Sequence, residues 1–197
     1  MQDILTKITY GLYLITADEY KDNGCIANTV VQVSLNPLRV AVSLTKTNLT
    51  TDMIAHTGKF NISILAKTAD FKLFKRFGLQ SGRNADKFDG VSFERSENGL
   101  AYITEHSIAY VSCRVTDSID LGSHTLFIAE PCEGKILSDA EPISYDYYYN
   151  NVRPKPQQTK KSGYVCKICG YVYEGDTLPP DFICPLCKHP ASDFEKL

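Results

Sequence analysis

The chain has 197 residues, 43% of them hydrophobic, a length that predicts one medium-sized domain or one domain with a small appendage. Because 21 Lys and Arg nearly balance 23 Asp and Glu, the net charge of -2 provides no field for holding polyanions, which disfavours a nucleic-acid partner. No uncharged apolar run approaches the roughly 20 residues that cross a bilayer, and the N-terminal stretch lacks the charged start of a signal peptide. We therefore expect a cytoplasmic protein with no membrane partner.

The first 150 residues are dominated by a period of two, which is the pattern of half-buried strands. Apolar residues alternate from Ile8 to Leu14, and the pattern resumes from Ile26 to Val33 after a turn-rich segment. Further runs rich in β-branched or aromatic residues are Arg39 to Leu44, Phe60 to Leu65, Leu100 to Ile103, Ile108 to Val115 and Thr125 to Ile128. This pattern predicts a mainly β domain of antiparallel sheet.

Two segments break this period and predict short helices. Asn48 to His56 ends before Gly58, and in Asp70 to Phe77 the aromatic residues recur three apart before a glycine. Many strands with a few short helices are typical of a closed or nearly closed barrel. Such a barrel leaves few unpaired edge strands that could bind another chain.

Residues 150 to 162 differ in composition from the chain on either side. The stretch holds four basic residues and two prolines, with no carboxylate and almost nothing to bury. No aromatic residues are interleaved with the charges, so a solvated linker is favoured over a nucleic-acid patch. We predict three parts: a barrel domain over residues 1–150, a linker over 151–162 and a small domain over 163–197.

The seven cysteines divide the chain in the same way. Cys166 and Cys169 are separated by two residues, as are Cys184 and Cys187, and 14 residues lie between the two pairs. Pairs with this spacing let the backbone wrap two thiolates around one ion, and two facing pairs complete a tetrahedron. The four cysteines therefore predict one tetrahedral metal site, which suits either zinc or iron.

The residues around these cysteines resemble rubredoxin. The resemblance rests on Tyr164 to Tyr173, Leu178 to Cys187, Phe194 and Glu195. It implies one iron ion in four thiolates beside a small aromatic core, with a tight turn at Gly170 whose N–H groups point at the sulfurs. This sequence departs from the family at Phe182, where Trp is usual, and at Lys188, where Gly is common.

An iron ion in four thiolates has no open position, so it can move an electron but cannot bind a substrate. The other domain must then supply or consume electrons. Nicotinamide, the usual cytosolic donor, gives electrons in pairs as hydride, and a flavin divides the pair. A flavin site is therefore expected in the first domain, although that domain has neither a G-x-G-x-x-G motif after a strand nor a Walker lysine loop.

Two polar runs match the two ends of FMN. Amides and hydroxyls on one barrel strand can hydrogen-bond the polar edge of an isoalloxazine ring. The candidates for this role are Asn28, Thr29, Gln32 and Ser34. One charge and several donors at the start of a predicted helix form an anion site. Its candidates are Lys46, Thr47, Asn48 and Thr51.

These runs resemble the flavin reductase family, whose members adopt an FMN-binding split β-barrel and work as homodimers. The resemblance continues through Thr57 to Leu65, the loop from Gly82 to Phe88 and the run from Gly122 to Glu130, and so covers nearly all of residues 1–150. Within the last run His124 is the candidate catalytic residue, with a binding or gating role ahead of proton transfer, while a structural histidine is the alternative.

The complete architecture resembles the high-molecular-weight rubredoxins. This resemblance implies an oxidoreductase that passes electrons from NAD(P)H through FMN to the rubredoxin iron. A separate flavodiiron protein, which reduces nitric oxide or dioxygen, is the implied acceptor. The alternative is a non-enzymatic β-barrel binding module that carries a structural zinc ribbon.

Overall fold

A computed structural model describes residues 2–5, 7–154 and 163–197 of the chain. The elements of the first domain are α1 (Gln2–Leu5), β1 (Tyr13–Asp18), β2 (Asp22–Ala27), β3 (Val30–Leu35), β4 (Leu38–Thr45), α2 (Leu49–Thr57), β5 (Lys59–Leu65), α3 (Phe71–Gly78), β6 (Glu94–Arg95), β7 (Ala101–Tyr102), β8 (Ser107–Asp120), β9 (His124–Ile136) and α4 (Tyr145–Tyr147). A π-helical turn at Tyr148–Val152 continues α4. The C-terminal elements are β10 (Tyr164–Cys166), β11 (Val172–Tyr173), a 3-10 turn (Ala191–Asp193) and β12 (Phe194–Lys196).

One antiparallel sheet of seven strands forms most of the first domain, in the order β2-β1-β5-β8-β9-β4-β3. Its two edge strands are consecutive in the chain, because only Asn28 and Thr29 separate the end of β2 from the start of β3. The ends of these edge strands therefore lie within about 11 Å of each other. The sheet must curl, and within the described residues no ladder joins β2 to β3. The predicted split β-barrel is confirmed.

Two apolar cores hold this domain together. One lies inside the curled sheet, where Val42, Phe60 and the α2 residue Met53 are fully buried. The other lies under α3 and includes Phe74 and Phe77. Fully burying side chains of this size stabilises a fold by roughly 1.5–3 kcal/mol each, so the two cores fix α2 and α3 against the sheet.

Both predicted helices are present, each within one residue of its predicted bounds. Gly58 ends α2 with φ at 69°, and its N–H donates to the Ile54 carbonyl at 2.9 Å. Asp70 begins α3, because its carboxylate accepts the N–H of Leu73 at 3.1 Å.

The first predicted strand is wrong in extent, because β1 begins only at Tyr13. Ile8 is 51% exposed. Leu12 is buried in an irregular segment, and its N–H donates to the Ile143 carbonyl at 3.2 Å. The segment before Tyr13 therefore bonds to Ile143 and, through the Leu12 carbonyl, to the N–H of Leu65 in β5 at 3.2 Å, without forming a regular strand.

The hairpin of β8 and β9 is much longer than its two predicted strands. Its second strand, β9, contains Pro131 and Gly134, which have little intrinsic preference for strands, yet both residues are paired with β8. The ladder between the two strands has two register shifts. The hairpin turns at Gly122, where φ is 83°. Pairing of His124 with Thr45 brings this tip to the start of α2.

The C-terminal domain is a three-stranded sheet in the order β11-β10-β12. Asn151 and Val152, the first residues of the predicted linker, belong to the π-helical turn, while residues 155–162 lie outside the described residues. Among the described residues, no helix has the length and apolar character needed to cross a membrane.

Candidate metal centre and flavin site

The four paired cysteines meet in the interior of the small domain. Their Sγ atoms all lie within 4.8 Å of one another, and each residue is at most 2% exposed. The Sγ atoms of Cys166 and Cys187 are 3.6 Å apart, and those of Cys169 and Cys184 are 3.5 Å apart. These distances exceed the ~2.05 Å of a disulfide and approach the roughly 3.8 Å edge of a tetrahedron around an ion about 2.3 Å from each sulfur. The donor set fits one tetrahedral metal ion.

Electrostatics also favour a bound cation at this site. Burial raises the pKa of the Cys169 thiol to about 11. Four thiolates this close repel one another strongly in a buried site, so the ionised form needs a cation among the sulfurs. Four protein ligands close the coordination sphere, which suits electron transfer by iron and leaves no position for a substrate.

Each cysteine pair lies in a turn that a backbone hydrogen bond closes. The N–H of Gly170 donates to the Cys166 carbonyl at 2.8 Å, and the N–H of Lys188 donates to the Cys184 carbonyl at 2.9 Å. Both closing residues have left-handed backbones, with φ at 79° and 64° respectively. Glycine adopts this conformation freely, whereas a residue with a Cβ does so at a cost of about 1–2 kcal/mol.

Replacing Lys188 with glycine should therefore stabilise the small domain. We expect the free energy of unfolding to rise by about 1 kcal/mol, because relief of the left-handed strain exceeds the extra chain entropy of glycine. The measurement is the guanidinium midpoint for loss of the iron absorption. Lys167→Gly is the matched control, since the backbone of Lys167 is not left-handed, and this change should lower the midpoint. An equal fall for both variants would refute the strain argument.

Aromatic rings cover one side of the four sulfurs, as the rubredoxin resemblance implies. Phe182 contacts Phe194 and Tyr173 with ring centroids 5.4 Å and 4.8 Å apart, both edge-on. The ring that stands where Trp is usual therefore lies at the centre of this small core. Its edge-on contacts are favourable aromatic geometries.

The start of α2 carries the predicted anion-binding residues. Lys46 and Thr47 are exposed in the turn after β4, and Asn48 occupies the N-cap position without capping a helix N–H through its side chain. Thr51 is only 4% exposed, and its hydroxyl donates to the Thr45 carbonyl at 2.8 Å. Lys46 and Thr47 are thus accessible to a phosphate, whereas the half-buried Asn48 side chain also bonds the Cys25 thiol and Thr51 shapes the turn.

Lys46 has a carboxylate neighbour that the sequence does not reveal. Its Nζ lies 2.6 Å from an oxygen of Asp120, which the tip of the β8 and β9 hairpin brings to this turn. The Lys46 ammonium holds the pKa of the Asp120 carboxyl below its usual value, with a further contribution from the Gly122 N–H. Both side chains are exposed, and an exposed ion pair contributes little free energy. Lys46 can therefore exchange this carboxylate for a phosphate at a small cost in free energy.

His124 lies beside the same turn. Its Nε2 is 3.2 Å from the Thr45 hydroxyl, and its Nδ1 is 2.8 Å from the Ser123 hydroxyl. Two hydroxyls therefore fix the orientation of the ring next to the anion site. This arrangement fits the predicted binding or gating role, which stays a prediction.

The four predicted ring-binding residues fall into two groups. Asn28 and Thr29 form the link between β2 and β3, and the Thr29 hydroxyl donates to the Ser43 carbonyl at 2.7 Å, close to the anion site. Gln32 and Ser34 lie farther along β3, where the Gln32 amide donates to the Ser34 carbonyl at 3.3 Å. Ser34 is about 16 Å of strand away from Thr29. Thr29 therefore lies beside the part of β4 that leads to Lys46, whereas Ser34 pairs with Arg39 near the other end of β4.

A buried lysine that sequence reasoning missed supports β2, the strand before Asn28 and Thr29. Lys87 is 4% exposed, and its Nζ donates to the carbonyls of Gly24 and Phe77 at 2.9 Å and 3.0 Å. Burial lowers the pKa of this lysine to about 8. The two bonds tie β2 to the C-terminal end of α3. A single lysine in a loop gives no sequence signal for such a role, because most loop lysines are solvated.

Two family models match the chain: the flavin reductase like domain over residues 5–154 and the rubrerythrin, rubredoxin-like domain over residues 164–195. The chain is 36% identical to the high molecular weight rubredoxin of Moorella thermoacetica, over 98% of each chain. It belongs to the high molecular weight rubredoxin family.

Other relatives match the barrel of this family member. The ferric-chelate reductase (NAD(P)H) of Archaeoglobus fulgidus is 34% identical over 78% of this chain and 91% of its own. The NADH:FAD oxidoreductase SgcE6 of Streptomyces globisporus shares the fold of the first domain, with a TM-score of 0.65 at 21% identity over 73% of this chain and 85% of its own.

Family membership confirms several of the predictions. The chain is an oxidoreductase, and the predicted flavin, four-cysteine iron centre and NAD(P)H donor agree with the two family matches and the four-sulfur cluster. The individual flavin-site residues and His124 stay predictions.

Proposed function

We propose that this chain passes electrons from NAD(P)H through FMN to its four-cysteine iron centre, and from there to a partner protein. The observation that supports this function most is the closed set of four buried sulfurs on the same chain as a flavin reductase-like barrel. A closed thiolate site binds no substrate, so its use in an oxidoreductase is electron transfer. When bound, FMN takes up hydride and releases electrons singly, and the iron takes one at a time.

The residues of the barrel position the reactants. Lys46 and Asn48 hold the FMN phosphate at the start of α2, and Asn28 and Thr29 hold the polar edge of the ring beside it. His124, oriented by two hydroxyls, limits where nicotinamide lies. Hydride transfer depends on proximity and orientation, so this site needs no general acid or base.

The protein acts as a homodimer in this proposal. β3 is an edge strand of the sheet, and its side chains Val31, Val33 and Leu35 are 55%, 51% and 80% exposed. An exposed apolar edge strand is a template for pairing with another chain. A second copy that covers β3 places Asn28 and Thr29, the residues immediately before it, next to the subunit interface.

The proposed acceptor is a flavodiiron-type protein in the cytoplasm. The resemblance to high-molecular-weight rubredoxins implies this acceptor. The cysteine chemistry agrees with the location, since closely paired thiolates persist as metal ligands in a reducing compartment.

Metal analysis and a visible spectrum of the purified full chain test this function. We expect one iron per chain and both flavin and ferric-thiolate absorption, and both bands should bleach when NADH or NADPH is added without oxygen. Zinc in a colourless protein would instead show a structural ribbon on a non-enzymatic barrel. Bands that persist in the presence of both nucleotides would also contradict the proposal.

A further inference from the structure

The turn that carries Cys166 and Cys169, with Ile168 between them, contacts the barrel domain of its own chain. We call this turn the Ile168 knuckle. Nη2 of Arg153 donates to the Ile168 carbonyl, between Cys166 and Cys169, at 2.9 Å. Leu79, the residue that ends α3, packs against the cluster of buried cysteines. One hydrogen bond from a charged donor and one apolar side chain therefore join the metal domain to the barrel.

Arg153 is held by the barrel domain before it reaches the knuckle. Its N–H donates to the Tyr148 carbonyl at 2.8 Å, and its guanidinium lies 5.2 Å from the centre of the Tyr149 ring. Tyr148 in turn packs on Phe74 of α3, with ring centroids 4.4 Å apart. An arginine whose backbone is bonded and whose guanidinium lies over an aromatic ring loses little freedom when it donates to the Ile168 carbonyl.

The other contact, that of Leu79, lies next to β2, the strand that precedes the proposed flavin residues Asn28 and Thr29. Leu79 follows Gly78, where a Cβ would lie 3.3 Å from the Ile26 side chain on β2. The two bonds of Lys87 hold this end of α3 against β2. Ile26 lies two residues before Asn28. Leu79, which packs against the cysteine cluster, is therefore the chain neighbour of a residue that lies against β2, two residues before Asn28.

We propose that Leu79 and Arg153 form a docking surface for the Ile168 knuckle of the same chain, so that electrons pass from flavin to iron within one subunit. This inference rests on the proposed function. In each transfer one electron leaves reduced FMN and converts one ferric ion to ferrous, and the proton released by the flavin goes to water. Arg153 and Leu79 act as positioning residues, since they touch neither the nicotinamide nor the metal.

Chain length and contact size agree with a docking that is intramolecular and reversible. The eight residues between Pro154 and Gly163 reach at most about 30 Å, which keeps the knuckle near its own barrel at a high effective concentration. In the part of the chain that the structure describes, the side chains that make this contact are few, whereas stable domain interfaces are extensive. The metal domain is therefore able to release from this surface and deliver its electron to a partner.

The docked state can be measured without turnover in the zinc-loaded full chain. Nitrogen-15 relaxation should give residues 163–197 the same rotational correlation time as the barrel. In Arg153→Ala and in Leu79→Asp these residues should tumble faster than the barrel, whereas the control Lys72→Ala, which removes an exposed α3 charge, should behave as wild type. Independent tumbling of the two domains in wild type would overturn the docking surface.

Rapid mixing of the iron-loaded protein with NADH or NADPH tests the consequence for electron transfer. The wild-type rate of iron reduction should not depend on protein concentration, and Arg153→Ala should slow it about tenfold, the effect of losing one hydrogen bond from a charged donor. Arg153→Lys should recover part of the rate, while dye reduction through the flavin stays unchanged. If the flavin is reduced but iron reduction scales with concentration or ignores Arg153→Ala, the inference fails. If neither nucleotide reduces the flavin, the proposed function itself fails.

Discussion

Replacing Cys184 with alanine is expected to abolish iron binding and to unfold residues 163–197, while the barrel keeps its flavin. Cys184 is fully buried, and the cluster around it contains only one buried residue besides the four cysteines, Phe194. A domain with so small a core depends on its metal, whose binding energy is folding energy of about 10–16 kcal/mol in comparable zinc sites. Iron analysis, the visible spectrum and proteolysis of the C-terminal segment measure the result.

Cys132→Ala is the matched control for this loss. Cys132 is exposed on β9, in the barrel domain, and its thiol donates to the Glu130 carbonyl at 3.4 Å, so its removal should leave iron content and spectrum unchanged. Full retention of iron by the Cys184 variant would show that the four sulfurs are not the ligands of one ion. Loss of flavin together with iron would show that the barrel depends on the small domain.

Lys46→Ala is expected to weaken FMN binding about 10- to 100-fold, because one hydrogen bond from a charged donor to the phosphate contributes roughly 1.5–3 kcal/mol. Asp120→Asn should have the opposite effect and tighten FMN about two- to fivefold, since it frees Lys46 from an exposed ion pair and removes a negative charge beside the phosphate. Fluorescence titration of the flavin-free protein measures both affinities. Iron content should not change in either variant.

Riboflavin separates the phosphate contact from general damage to the barrel. It lacks the phosphate, so its affinity should be the same in wild type, Lys46→Ala and Asp120→Asn. Equal weakening of FMN and riboflavin by Lys46→Ala would mean that the substitution disturbs the fold. Unchanged FMN affinity in both variants would place the phosphate away from the start of α2.

The metal site could be predicted almost completely from the sequence, because each ligand pair is local and two residues of spacing bring two sulfurs to one ion. The flavin site could be predicted only in part. Lys46 and Asn48 were predicted together because they are two residues apart, and they share one turn. Gln32 was predicted with Asn28 and Thr29, which precede β3, but it lies farther along that strand. Sequence proximity along a strand does not keep side chains at one end of it.

Contacts between distant segments could not be predicted. Asp120 reaches Lys46 because β8 continues beyond Val115, through Asp117 and Ser118, to the tip of the hairpin, and these two residues have little intrinsic preference for strands. Lys87 and Arg153 each donate to carbonyls far along the chain, and a backbone carbonyl carries no sequence signal. The sequence therefore could not show which distant carbonyls these two basic side chains bind.

Anaerobic titration of the full chain with its nicotinamide donor tests the central claim most directly. Reduced FMN holds two electrons and the iron holds one, so three electrons per chain correspond to about 1.5 equivalents of a donor that delivers two. We predict that flavin and iron absorption both disappear by that end point. An end point near one equivalent with the ferric absorption intact would show that the barrel is a flavin reductase that does not reduce its own metal domain, and would contradict the account.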